Sequence, residues 1–202
     1  MYGVLFAALL AAVPVPSPRV ADSAVAARPP ATWRIDVTHS ELTFRIRHLV
    51  SRVRGTFRQW SGSITADSAN WDNGAVQVTI QTASIFTDNE RRDNHLRSPD
   101  FFAADSFPTI TFQSTRVSRS GDDLRIEGTL TMRGVSRPVV LTGSFTGFTR
   151  SAEGEVRVGF AARTRVNRLD YGVQWNRAVE GGGVLLGDDV DIEIAVEAIR
   201  QP

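Results

Sequence analysis

Residues 41–48 read Glu-Leu-Thr-Phe-Arg-Ile-Arg-His, and this stretch decides the fold class because its polarity alternates from one residue to the next. Leu42, Phe44 and Ile46 share one parity, which His48 continues, while threonine and arginine occupy the other. Successive side chains of a β-strand point to opposite faces of the sheet. The alternation therefore predicts a strand with one dry face and one wet face.

The same alternation recurs along the chain and predicts about eight strands. Further examples lie at 76–80, 110–112, 124–132, 139–145, 156–160 and 190–196. Turn-forming residues separate them at 72–74, 120–123, 132–134, 152–154 and 187–189, which predicts hairpins and antiparallel pairing. Residues 89–102 break the period and predict one or two helical turns before Pro99, and 163–187 looks like a second irregular insertion.

These strands predict an all-β fold, a closed antiparallel β-barrel with a short helical insertion. A sheet of this size must close or stack to bury its apolar faces and to hide its edges. Glycines within the strand patterns, such as Gly55 and Gly128, favour a barrel over a sandwich, because barrels need bends and bulges.

Composition excludes several classes of function. The chain has 202 residues, 42% of them hydrophobic, which suits one domain with a full core. It contains no cysteine, and all 23 of its basic residues are arginine, so disulfides, thiolate metal sites and lysine chemistry are excluded. The net charge of +1 is far from the basic balance of nucleic-acid-binding proteins, so we expect no nucleic-acid partner.

The N-terminal segment predicts export. Val4 to Val13 is an apolar stretch too short to span a bilayer, and the small residues Ala24-Val25-Ala26 follow it. We therefore interpret residues 1–27 as a signal peptide with an undetermined cleavage position, and 28–202 as a single domain. On this interpretation the protein is periplasmic or secreted and works in the bacterial cell envelope. The alternative is that the N-terminal segment is a disordered tail rich in alanine and proline.

No catalytic constellation stands out in the sequence. His39, His48 and His95 permit a three-histidine metal site in an envelope enzyme, but no local spacing brings two of them to one face. We therefore expect no catalytic residue, no metal site and no cofactor, and we keep the metal enzyme as an alternative. A barrel with a filled core, acting in structure or stress response without a ligand, is the other alternative.

Opposite charges crowd different strands. The basic set lies at 45–58 and the acidic set in the last strand, and together they comprise Arg45, Arg47, Arg52, Arg54, Arg58, Asp188, Asp189, Asp191, Glu193 and Glu197. We expect the two sets to pair across the barrel seam, because opposite charges on neighbouring strands stabilise their register. Trp33, Trp60 and Trp175 are interpreted as packing residues.

The order of several motifs resembles the YceI-like family from Trp33 to Ile199. The matching blocks are WxIDxxHSxLxFxIxH (33–48), GxF (55–57), RDxHLxSxDFF (92–102), FPxIxFxS (107–114), GTLTMRGV (128–135) and NRLDYG (167–172). The resemblance implies an extended lipocalin-like barrel, exported to the bacterial periplasm, that holds a long-chain polyisoprenoid or a related lipid. It implies no established catalytic residue.

Within this framework the sequence predicts the ligand site. Inward parity and the residues at one barrel end give the apolar lining: Phe44, Ile46, Phe57, Ile64, Val78, Ile80, Phe101, Phe102, Ile110, Phe112, Leu130 and Phe160. Arg91, Arg92, His95 and Arg97 are candidates for a polar head group. We also expect transient contact with a membrane or membrane proteins. A homodimer is an open alternative, although no exposed apolar stripe in the sequence argues for it.

Overall fold

The computed structural model describes residues 30–67, 70–180 and 182–202, and within them the chain forms eleven β-strands and one α-helix. The strands are β1 Ala31–Ile35, β2 Glu41–His48, β3 Ser51–Phe57, β4 Trp60–Asp67, β5 Asn70–Gln81, β6 Ile85–Phe86, β7 Thr109–Ser120, β8 Asp123–Met132, β9 Val135–Arg150, β10 Val156–Asn167 and β11 Leu186–Arg200. The helix α1 is Glu90–Arg97, and 3-10 turns lie at Val37–His39, Thr82–Ser84 and Arg168–Tyr171. The predicted signal peptide at residues 1–27 lies outside the described residues.

The strands close into an antiparallel barrel, which confirms the predicted fold class. Among the described residues the ring has eight members, β1-β4-β5-β7-β8-β9-β10-β11, and β1 closes it by pairing with β11. Trp33 pairs with Ile64 of β4 on one side and with Arg200 of β11 on the other. β2, β3 and β6 extend the sheet from β11.

β1 and β2 form two parts of one wall strand. β1 pairs with the C-terminal end of β11, and β2 pairs with the N-terminal part of the same strand. β3 and β4 similarly follow one another, but β3 pairs with the two-residue β6 instead of β5. The sheet is thereby splayed at the end where β6 leads into α1.

Three of the predicted turns are confirmed, at 120–123, 132–134 and 152–154. The predicted turns at 72–74 and 187–189 are wrong, because both segments lie inside strands. Thr65 of β4 pairs with Ala75 of β5, and Asp67 pairs with Asn70. The register therefore moves by two residues along β4 but by five along β5. A similar irregularity separates Leu186 from Val190. The turn-forming residues thus make bulges, which tolerate the same residue types.

The predicted helical insertion is confirmed as α1. We call the barrel end beside α1 the mouth. Asn89 caps α1, accepting a hydrogen bond from the Arg92 N–H at 2.9 Å. The 49–50 hairpin tip and the 168–185 connection lie at this same end, as the direction of β2, β10 and β11 requires. The second predicted insertion starts later than expected, because β10 continues to Asn167. The helices within the described ranges include none that could span a bilayer.

Candidate functional site

The barrel encloses a cavity of about 690 Å³. Its walls are mostly aliphatic and aromatic, and its volume falls in the range of about 300–1,000 Å³ that is typical of small-molecule sites. On β11 the lining runs from Leu186 to Val196, which is on the order of 30 Å along the strand. The barrel is therefore hollow, and its cavity is long and apolar.

All twelve residues of the predicted apolar lining lie on the cavity wall: Phe44, Ile46, Phe57, Ile64, Val78, Ile80, Phe101, Phe102, Ile110, Phe112, Leu130 and Phe160. For the ten that lie in strands, this position follows from strand parity, which places every second residue inside the barrel, whereas Phe101 and Phe102 follow α1. Phe112 and Leu130 are direct neighbours on β7 and β8. That these residues contact a ligand stays a prediction.

One end of the cavity is closed by aromatic rings. Trp33 is fully buried, and its ring centroid lies 5.6 Å from that of Trp71, which is itself 5.0 Å from the ring of Phe160. Phe148 covers both tryptophans, with its centroid 6.0 Å from each. We call Trp33, Trp71, Phe148 and Phe160 the aromatic floor. Trp71 is not among the predicted lining residues, because it directly precedes the predicted turn at 72–74.

The opposite end of the cavity is open and polar. Asn89 and Arg91 are the exposed residues among those that line the cavity in the described ranges, and both lie at the start of α1. Trp175 and Phe101 line the same end and hold the His95 ring between them, with centroids 5.0 and 4.9 Å away. A ligand can therefore enter at this mouth.

Several basic groups at the mouth are already engaged. Arg168 is buried and donates to the carbonyl oxygens of Gly187, Val173 and Trp175 and to Asp188, at 2.6–3.2 Å. Its burial lowers the pKa of its guanidinium below the ordinary value, although Asp188 opposes this shift. These bonds hold the 168–185 connection together and fasten it to the start of β11.

α1 is fixed by its own polar residues. Thr87 donates its N–H and its hydroxyl to the buried carboxylate of Asp93, at 2.9 and 2.5 Å. Arg92 donates to the Thr87 hydroxyl and carbonyl oxygens, each at 2.7 Å, while still lining the cavity. His95 also lines the cavity and bonds Asp100 at 2.8 Å.

Arg97, the fourth predicted head-group residue, is placed differently. It does not line the cavity, and it donates to the carbonyl oxygens of Ala83 and Ile85 and to Asn94. These hydrogen bonds of Arg97 fasten the C-terminal end of α1 to the segment around β6. The other three predicted head-group residues, Arg91, Arg92 and His95, lie on the cavity wall.

The three histidines do not come together in the described part of the chain. His48 pairs with Leu186 at the start of β11. His39 bonds Asp36, whose N–H donates to the carbonyl oxygen of Glu197 near the C-terminal end of β11. The two positions are on the order of 30 Å apart along the strand. Asp36, His39 and Glu197 do converge, but Arg157 donates to both carboxylates, and His39 is the main cause of the lowered pKa of Asp36. This group is an ion-pair network.

The predicted charge pairing across the seam is confirmed for several residues. Arg45 bonds Glu193 at 2.8 Å, and Asp191 accepts from both Arg52 and Arg165, at 2.8 and 2.6 Å. Arg165 and Arg52 lower the pKa of Asp191 below its ordinary value, with Arg165 the larger influence. These pairs lie on the outer face and leave the cavity wall to apolar residues.

The chain is similar to known proteins in both sequence and structure. The sequence profile described as YceI-like domain matches residues 33–198. A UPF0312 protein of Staphylococcus aureus (strain MSSA476) is 38% identical over 167 residues, which cover 82% of this chain and 95% of the relative. The crystal structure of the Campylobacter jejuni YCEI protein is 32% identical, with a TM-score of 0.69 over 77% of this chain and 90% of that one.

A more distant structure shares the fold alone. It is described as a polyisoprenoid binding domain from Saccharophagus degradans implicated in plant cell wall breakdown. It is 16% identical and has a TM-score of 0.62, over 85% of this chain and 99% of that chain.

Proposed function

Because this chain belongs to the YceI-like domain family, we propose that it binds a long-chain polyisoprenoid or a related amphiphilic lipid inside its barrel and carries it within the bacterial cell envelope. The observation that carries the proposal is the long apolar cavity, closed at the aromatic floor and open at the mouth. The Saccharophagus degradans domain, which is described as binding polyisoprenoid, has the same fold and adds support.

The apolar wall can supply the affinity. Burying one methylene group from water contributes about 0.8 kcal/mol, so ten groups contribute roughly 8 kcal/mol, the equivalent of a micromolar dissociation constant before ordering costs. A lipid in a bilayer is already removed from water, so its transfer to the barrel gains little apolar energy. Polar contacts at the mouth must therefore decide which lipid is extracted.

A pair of adjacent alanines offers a matched test of the cavity. Ala162 lines it, whereas Ala161, the preceding residue of β10, has the opposite parity and does not. We expect Ala162→Phe to fill the bore and to lower the affinity for geranylgeraniol by tenfold or more, while Ala161→Phe binds like the wild type. Quenching of tryptophan fluorescence measures the affinity, since Trp60, Trp71 and Trp175 line the cavity.

Circular dichroism of both variants checks that the barrel is folded. Equal affinity of Ala162→Phe and wild type would contradict binding in the cavity. Failure of the wild-type protein to bind any isoprenoid would contradict the function itself.

We also propose that the mouth touches a membrane during lipid exchange. Val50 at the 49–50 hairpin tip is fully exposed, and Leu49 and Val184 are each 41% exposed. The Leu49 N–H donates to the carbonyl oxygen of Leu185, which lines the cavity. Exposed aliphatic side chains beside a lipid-sized opening favour insertion into the interfacial region of a bilayer.

The membrane contact is tested by transfer of a fluorescent lipid from vesicles to the protein. We expect Val50→Asp to slow the transfer severalfold without changing the final occupancy. Val37→Asp is the control, because Val37 is also an exposed valine, at 42%, but lies in the 3-10 turn between β1 and β2. Equal rates for the Val50→Asp variant and wild type would contradict a membrane contact at this tip.

The cellular location is proposed as periplasmic or secreted. The apolar stretch from Val4 to Val13 supports export through a cleaved signal peptide. Fractionation of cells that express the full chain, with N-terminal sequencing of the product, tests this. Retention of the uncleaved chain in the cytoplasm would contradict it.

A further inference from the structure

We propose that the lipid carries an acidic head group, a phosphate or a carboxylate, and that Arg91 and His48 bind it at the mouth. The inference rests on the proposed function and adds the chemical class of the cargo. It is carried by the charges of the cavity wall, the hydrogen bonds already made there, and the direction in which an elongated ligand must lie.

The described residues that line the cavity include basic side chains and no acidic ones. The cavity's ionisable side chains, within the described residues, are His48, Arg91, Arg92, His95 and Arg168, and all of them lie at the mouth. Aspartate and glutamate are absent from the lining of this same part of the chain. A set of groups with one sign, beside an apolar cavity of low dielectric constant, attracts an anion.

The carboxylates around the mouth do not neutralise this set fully. Asp93 accepts from Thr87, Asp100 from His95, and Asp188 from Arg168. Asp88 precedes α1 and Glu90 is its first residue, but both are exposed and neither lines the cavity. Asp93, Asp100 and Asp188 thus already have partners on or beside α1 and the 168–185 connection.

Arg91 and His48 are the members of the set left for a ligand. Arg168 is saturated by four acceptors, Arg92 is held by Thr87, and His95 bonds Asp100. For the Arg91 guanidinium and the His48 ring, the described part of the chain provides no hydrogen bond or ion pair. An arginine offers a bidentate fork to phosphate or carboxylate, and either histidine tautomer offers one N–H.

The shape of the cavity puts the head group beside these residues. The aromatic floor buries its tryptophans almost completely and presents rings to the end of the bore. A single-chain amphiphile that fills the length of the cavity must therefore direct its tail to the floor and its head to the mouth. Arg91 is held there because Arg92 and Asp93, its neighbours on α1, are fixed through Thr87.

Three ligands with the same isoprenoid chain test the inference: geranylgeraniol, geranylgeranoic acid and geranylgeranyl monophosphate. We expect the wild-type protein to bind at least one of the two acidic ligands about tenfold more tightly than the alcohol, the range of a charge-assisted hydrogen bond. Arg91→Gln should remove most of this preference, because it lowers the affinity for the acidic ligands far more than the affinity for the alcohol. The double variant Arg91→Gln/His48→Gln should remove the remainder.

Arg116→Gln is the matched control, since Arg116 is exposed on β7 and does not line the cavity. This variant should keep the full preference. A preference for the phosphate alone, or for the carboxylate alone, supports the inference and identifies the head group. Equal affinities for all three ligands, or an undiminished preference in the double variant, would overturn it while leaving the proposed function intact. If the wild type binds none of them, the proposed function fails, and this inference with it.

Discussion

Gly55 allows an aromatic ring to lie across β3 at the cavity wall. Phe44 on β2 is its direct cross-strand partner, and a Cβ atom at Gly55 would come within 2.3 Å of the Phe44 ring and 2.8 Å of the Thr87 methyl group. Only a residue without a side chain fits there. The position of the Phe44 ring, and with it the width of the cavity, thus depends on this glycine.

We expect Gly55→Ala to push the Phe44 ring into the cavity. The stability should fall by about 1–3 kcal/mol, the usual cost of overpacking, and the affinity for geranylgeraniol should fall as well. Urea denaturation and fluorescence titration measure the two effects. Phe44→Leu in the same chain should restore much of both, because it removes the ring atoms that clash; a double variant no better than Gly55→Ala would contradict this account.

At the scale of elements, α1 is anchored by one buried carboxylate. Asp93 is 3% exposed and accepts from two donors of Thr87, and Thr87 in turn accepts from Arg92. This arrangement joins the first turn of α1 to the segment that follows β6. The orientation of Arg91 over the mouth follows from it.

Asp93→Ala should loosen α1. It leaves the buried N–H and hydroxyl of Thr87 without their acceptor, and an unsatisfied buried group costs about 1–3 kcal/mol. Denaturation should show a loss of this size, and hydrogen exchange should accelerate most at residues 90–97. Asp105→Ala, at an exposed position after α1, is the control; equal protection of α1 in the Asp93→Ala variant and wild type would show that the contact does not anchor it.

The elements also show what the sequence could predict. Period-two alternation identified the wall strands and placed on the cavity wall the ten predicted lining residues that belong to strands, because parity alone fixes a side of the sheet. The turns predicted from turn-forming residues at 72–74 and 187–189 were wrong, because these residues build bulges within strands. Local composition cannot separate these cases, since only the partner strand determines whether the chain reverses or bulges.

The head-group region was predicted less completely. Arg91, Arg92 and His95 were identified in the irregular segment, but the diversion of Arg97 to the Ala83 and Ile85 carbonyl oxygens was not. Nor could the sequence show that Arg168 is buried and saturated. Both outcomes depend on which backbone carbonyl oxygens are left without partners by the fold, and no spacing along the chain encodes that.

At the scale of the whole molecule, charge pairs hold the barrel seam. Asp191 on β11 joins Arg165 of β10 and Arg52 of β3, and Arg45 of β2 bonds Glu193. Because the pKa of Asp191 is lowered in the folded state, its contribution to stability is present above the unfolded value of about 3.8. That contribution is lost as the pH falls through the lower, folded-state pKa.

Asp191→Asn should therefore be destabilising in a pH-dependent way. At pH 7 we expect a loss of about 1 kcal/mol, typical of exposed pairs that share one carboxylate. The difference from wild type should shrink towards zero as the pH falls below about 4. Urea denaturation across this range measures it, with the exposed Glu180→Gln as control; a constant difference at all pH values would contradict the role of the carboxylate charge.

The central claim is that the hollow barrel holds one lipid molecule. Native mass spectrometry of the protein, purified from its own cell envelope without detergent, tests this most directly. We predict a discrete added mass at close to one per chain, released by solvent extraction as an amphiphile with a long apolar chain, and absent from the Ala162→Phe variant. A wild-type protein that shows only the mass of the bare chain would contradict the account.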